Sequence, residues 1–157
     1  MDTDGTLDEI DERLVSALRA DGRASASDLA HATGIATSTA TRRLRRLEAA
    51  GVVGGYRPAV DYEALGYDVT AVFRLDVDGE GLADVVDDLR ETGRMVAVYE
   101  VTGGDDVVAI GKFASTDELN ARLRETLAHD HVRSVTANVV RDVVTEDDTP
   151  PVPVGEV

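Results

Sequence analysis

The hydrophobic period of this chain changes once, near Gly66, and that change limits the possible folds more than any other feature. Before it, Leu7, Ile10, Leu14, Ala17 and Leu18 recur at three- and four-residue steps, which 3.6 residues per turn bring onto one face of a helix. After it, Tyr67, Val69, Ala71, Phe73, Leu75 and Val77 alternate, the spacing of a half-buried strand. No single class of secondary structure carries both patterns. The chain is therefore expected to be α+β, with a helical N-terminal part and a sheet-containing C-terminal part.

Local signals divide each part further. Thr6 and Glu9 stand as N-cap and N3 of a capping box before the first stripe, and Asp21-Gly22-Arg23 ends it. Ser25 and Asp28 open a short second helix holding Leu29, Ala30 and Ala32, which Gly34 stops. A third runs from about Thr37 to Ala50, before Gly51. Three helices with a glycine-centred turn between the last two make a helix-turn-helix pattern. "VVGGYRPAV" after them reads as a hairpin wing turning at Gly54-Gly55.

In the second part, Leu82, Val85, Val86 and Leu89 keep helical spacing up to Gly93. "MVAVYEVT" and "VVAIGKF" read as strands joined by the turn at 103–106, and Ser115 with Glu118 forms a capping box before Leu119, Leu123 and Leu127. "VRSVTANVVRDVV" closes the series as a last strand. The order β-α-β-β-α-β is that of a ferredoxin-like sandwich. The expected domains are a winged helix-turn-helix over 1–53, a wing and linker over 54–66, a ferredoxin-like domain over 67–145, and a flexible acidic, proline-rich tail over 146–157.

Charge then narrows the function. The formal net charge is −15, and Lys112 is the one lysine among sixteen basic residues. Diffuse acidity ordinarily repels phosphates. Here it reads as adaptation to molar salt, as in extreme halophiles, where a Debye length of ~3 Å removes most of that repulsion. The local arrangement matters more: residues 36–58 carry five arginines against one glutamate. With no cysteine, no apolar stretch of membrane-spanning length and no basic-then-apolar leader, a cytoplasmic protein is expected.

On a helical wheel of 37–50, Ala40, Leu44 and Leu47 form the inward stripe. Ser38, Thr41, Arg42 and Arg45 lie opposite, flanked by Thr39 and Arg46. Arginine pairs bidentately with guanine, hydroxyls reach base edges or phosphates, and N–H groups at a helix start, here near Thr37, receive a phosphate. Thr37, Ser38, Thr39, Thr41, Arg42, Arg45 and Arg46 are thus candidate contacts to double-stranded DNA. A merely solvated charged face is the alternative, but the helix at 80–92 exposes carboxylates instead. Arg43, near the apolar edge, is expected to pair with a carboxylate of the first helix. His129-Asp130-His131 resembles metal ligands but lacks the third and fourth groups a zinc site uses, so no metal or cofactor is expected.

The motifs Leu7-Asp8 with Asp11, Asp21-Gly22-Arg23, Thr33-Gly34-Ile35 through Arg42-Arg43-Leu44 to Leu47-Glu48, and Gly51-Val52-Val53 resemble, in order, the Lrp/AsnC (feast/famine) transcription regulators. The resemblance runs from Leu7 to about Val144. It implies sequence-specific DNA binding through the helix-turn-helix, with a sensor domain that pairs into homodimers, often octamers, and binds an amino-acid effector. Two departures stand out. Where the family has Ser-Pro before the recognition helix, this chain has Ala36-Thr37, which moves the expected cap to Thr37. Where the family's effector loop reads Gly-Asp-aromatic-Asp, this chain has Gly103-Gly104-Asp105-Asp106. These four are the candidate effector residues, the glycine N–H groups for a carboxylate and Asp106 for an α-ammonium; a plain turn is the alternative. Siroheme decarboxylases share the two-domain layout. Their expected His-Asn-Tyr and Asn-x-Trp-Phe stretches are missing from "MVAVYEV" and "DVVAIGKF", so a regulator rather than an enzyme is expected.

Overall fold

The computed structural model describes residues 7–146. They form two compact units, one up to Ala59 and one from Val60 to Glu146.

The first unit holds α1 (Glu9–Ala20), α2 (Ala26–Thr33) and α3 (Thr37–Ala49). Helix α1 begins two residues later than the capping box at Thr6 and Glu9 implied; Thr6 itself lies outside the described residues. The box that closes is Asp8 with Asp11: the Asp11 N–H donates to Asp8 Oδ1 at 2.9 Å and the Asp8 N–H to Asp11 Oδ2 at 3.3 Å. The carboxylates of this Asp8–Asp11 box also meet α3. Helix α2 starts as expected, with Ser25 capped reciprocally by Asp28. It ends at Gly34, whose φ of 71° suits a residue without Cβ. The cap of α3 is Ala36, without a side-chain bond, and not Thr37. The left-handed Gly34 and the inward Ile35 set the phase, so Thr37 is already helical. Leu14, Leu18, Leu29, Ala30, Ala40 and Leu47 make the core.

No strand forms between Gly51 and Asp68, so the expected wing hairpin is not made. Pro58 lacks an N–H, two glycines add backbone entropy, and an isolated two-stranded ribbon is marginal without a third strand. Tyr56 instead donates its hydroxyl to Glu48 at 2.8 Å.

The second unit runs β1 (Val69–Val77), α4 (Leu82–Glu91), β2 (Met95–Glu100), β3 (Val107–Phe113), α5 (Thr116–Leu127) and β4 (Val132–Val139). The sheet order is β2-β3-β1-β4 with antiparallel neighbours, the expected ferredoxin-like arrangement. Alternation does what it should: Ala71, Phe73, Leu75 and Val77 are buried, together with Val107, Ala109 and Phe113, beneath Val85 and Leu89 of α4 and Leu119 of α5. The opposite face carries Val72, Val108 and Ile110, only half-buried, beside the exposed Tyr99.

Three edges differ from expectation. Strand β4 stops at Val139 instead of continuing to Val144: its last pair is with Ala71, and the Val140 N–H adds one bond, to Thr70 O at 2.8 Å. Ser115 caps α5, but the Glu118 carboxylate passes over Ser115 and accepts from the Ala114 N–H at 2.8 Å, held by Arg94 at 2.6 Å. Glu146, placed in the free tail from sequence, sits on Lys112 at 2.7 Å, with the ammonium 5.2 Å from the Tyr62 ring centroid. The rest of that tail lies outside the described residues.

Candidate nucleic-acid interface and effector loop

Helix α3 sorts its four arginines into two pairs. Arg42 and Arg45 are exposed and have no side-chain partner among the described residues. Ser38 and Thr37 are exposed near the start of the helix, and Thr39 is half-buried beside them. Thr41 also lies on this side, but its hydroxyl donates back to Thr37 O at 2.9 Å. The other pair turns inward. Arg43 Nη1 reaches Asp8 at 2.6 Å and Asp11 at 2.9 Å, the pairing with the first helix that its place on the wheel implies. Arg46, expected on the flank of the DNA-facing stripe, also lies against this carboxylate: its Nη2 is 3.2 Å from both oxygens of Asp11, while its side chain keeps 41% exposure. The reason is rotational, since three residues after Arg43 it falls on the same flank. Asp11 has 0% exposure, and a carboxylate so placed needs cations around it.

Burial pushes the Asp8 and Asp11 carboxyls up; at Asp8 the Arg43 guanidinium and the capping N–H outweigh it, and at Asp11 both contribute to a net lowering. Both titrate below their ordinary value of 3.8. The same bonds, to Asp8 foremost, raise Arg43. With depressed folded values, the unfolded chain takes up protons first. Their stabilisation is whole above about pH 3.8 and is lost as pH falls below that toward the folded values. Asp8→Asn should therefore flatten the loss of stability on acidification from pH 5 to pH 2, measured by urea unfolding followed by helical circular dichroism. An unchanged acid slope would exclude the pair as its source.

The loop between β2 and β3 brings the four candidate effector residues together, though with different duties from those expected. Gly103 takes φ 128°, a conformation that favours glycine. The N–H groups of Gly103 and Gly104 donate to nothing among the described residues. Asp105 pairs with Arg74 of β1, 2.7 Å from Nη2. Asp106 does not present a free carboxylate: Oδ2 accepts from the Val77 N–H at 2.8 Å, while its own N–H donates to Leu75 O at 2.8 Å. The β1–β3 ladder ends at Leu75 and Val107, and the Asp106 side chain satisfies the backbone just past that end. Arg74 was missed from sequence; a lone cation within an alternating strand was its only signal.

His129 and His131 have ring centroids 5.9 Å apart, and no group of three potential metal ligands occurs among the described residues. His131 covers Gly81, where a Cβ would fall 1.9 Å from the ring; the glycine is there for packing. No described helix is long and apolar enough to cross a membrane.

With this geometry in place, comparison with known proteins decides the family. Residues 7–53 match the winged helix-turn-helix DNA-binding family and residues 70–150 the Lrp/AsnC ligand-binding domain. The chain belongs to the Lrp/AsnC family. An uncharacterised HTH-type transcriptional regulator of Pyrococcus abyssi is 32% identical over 141 residues, spanning 90% of this chain and 96% of that protein. The regulator LrpA of Mycobacterium tuberculosis is 36% identical over 124 residues, covering 76% and 83% of the two chains. Among solved structures, the leucine response regulatory protein LrpA of M. tuberculosis superposes with a TM-score of 0.82 at 30% identity, over 92% of this chain and 99% of that one. A feast or famine regulatory protein of the same organism, complexed with L-methionine, gives 0.86 at 31% identity, over 93% and 99%. Like these Lrp/AsnC relatives, the chain is a DNA-binding transcriptional regulator.

Proposed function

We propose that this Lrp/AsnC regulator reads a specific operator with Ser38, Arg42 and Arg45, supported by Thr37 and Thr39 at the start of α3, and that an α-amino acid modulates it at the loop 103–106. One observation carries the DNA reading. In a chain of net charge −15, Arg42 and Arg45 of the recognition helix are exposed and without a partner among the described residues, while the other two are held by Asp8 and Asp11 at the start of α1. Such a face suits the major groove, where arginine discriminates guanine through paired bonds. Selection from a randomised duplex pool in molar KCl tests it: enrichment of one sequence class is expected, and equal retention of all sequences refutes it.

Support for the effector is chemical. The glycine N–H groups at 103 and 104 are donors without acceptors among the described residues, suited to a carboxylate, and the related M. tuberculosis protein has a solved structure complexed with L-methionine. Asp106 then acts by holding the loop on β1, with its remaining oxygen the group for an α-ammonium. The half-covered sheet face around Val72, Val108, Ile110 and Tyr99 is proposed as the surface on which two copies pair, since an apolar face of this kind needs cover. Homodimers, and octamers built from them, are the assemblies proposed for the molecule at work.

A further inference from the structure

We infer that Asp11 is a positioning residue for base readout. Through Arg43 and Arg46 it sets the rotation of α3 about its own axis, and so decides whether Arg42 and Arg45 arrive at base edges. It acts from the opposite side of the helix.

Apolar packing alone leaves that rotation loose. The fully buried side chains of α3 are Ala40 and Leu47, with Leu44 half-buried. Ala40 and Leu47, flanked by the half-buried Leu44, hold the helix along a narrow apolar stripe, which by itself constrains its roll less than contacts on its flanks do. Arg43 and Arg46 stand together on one flank of that stripe, nearly one turn apart. Both end on the same wholly buried carboxylate, Arg43 at 2.9 Å and Arg46 at 3.2 Å, and Asp8 takes a second hold on Arg43 at 2.6 Å. Asp11 is itself fixed, because it is the N3 residue of the α1 capping box. Two attachment points along α3, tied to one immobile group, oppose a roll in either direction.

The size of the effect follows from helix geometry. At the outer radius of a helix, ~5–6 Å from the axis, a roll of about 20° moves a side chain by ~2 Å. A bidentate arginine–guanine pair tolerates about 0.5 Å. Contacts to phosphate carry no sequence information and depend mainly on charge, so they tolerate the same roll. Releasing the clamp therefore removes sequence preference before it removes affinity for DNA as such.

The test uses the full chain with Asp11→Asn and, separately, Arg43→Lys, which keeps the charge but loses the planar fork. Each is titrated in a KCl series against the duplex the parent protein selects from a randomised pool, and against a scrambled duplex of equal length and composition. Circular dichroism confirms folding. Both variants should bind the selected duplex about tenfold more weakly or worse, with the scrambled duplex changed by less than about twofold. A folded Arg43→Lys that keeps the parent's ratio overturns the inference, as does one that weakens on both duplexes alike. Should Asp11→Asn fail to fold, Arg43→Lys decides alone. The inference rests on the DNA reading above, and the two fail differently: a parent that enriches no sequence refutes that reading, and the inference with it.

Discussion

Arg42→Ala is expected to reduce affinity for the selected operator about tenfold or more, and to leave binding to a scrambled duplex nearly unchanged. Arg42 lies at the middle of the outward face of α3, one turn beyond Ser38, and nothing in the described chain competes for its guanidinium. A paired arginine–guanine contact discriminates by ~1–3 kcal/mol. It is short-ranged, so it survives molar salt, whereas phosphate contacts draw on counterion release and weaken as salt rises. Titration of both duplexes across a KCl series separates the two. An equal loss on both would mean that Arg42 holds the backbone and reads no base.

The largest stability loss is expected from Phe73→Ala. Phe73 has 0% exposure at the centre of β1, with its ring 5.9 Å from that of Phe113, and the core around them contains few aromatic side chains. Valine, leucine and alanine cannot flow into a space of that shape, so much of the cavity should persist. Removing a buried phenylalanine costs about 3–5 kcal/mol, against a total of roughly 5–15 kcal/mol for an ordinary domain. For a unit of this size the loss corresponds to a melting temperature lower by roughly 15 °C or more. The helical unit has its own core. Circular dichroism and near-ultraviolet tyrosine signals should therefore show the sheet-containing unit melting early while α1–α3 persist. A shift of only a few degrees would mean that the core repacks.

Much of the molecule was legible from local chemistry. The 3.6-residue and two-residue hydrophobic periods, with the caps, located the five α-helices and four strands of the described residues, because amphipathic periodicity is a local consequence of where the core must lie. Ser25 with Asp28, and Gly34 after them, marked the ends of α2 correctly, since a cap bonds to its own neighbours in sequence. The exposed stripe of Ser38, Arg42 and Arg45 was legible for the same reason.

What depended on distant partners was not. The sequence pointed to Thr6 and Glu9 as the capping box of α1, whereas the box among the described residues is Asp8 with Asp11, whose carboxylates also take Arg43 and Arg46. Arg46 stood on the flank of the stripe on a wheel that contains no second helix; the tertiary structure adds its ion pair with the buried Asp11 of α1. The hairpin after α3 had the right turn residues but no third strand to pair with. β4 ended with its pairing to β1 at Ala71, not where its own valines did. In the loop 103–106, Asp105 and Asp106 carried the expected charge, yet Arg74 and the Val77 N–H, about thirty residues earlier, claim it. Periodicity, caps and turn glycines act over a few residues, so the sequence by itself determined the elements, their order and the outward face of α3. Which charged groups remain free for a ligand depends on which residues folding brings within about 3 Å, and only the tertiary structure decided that.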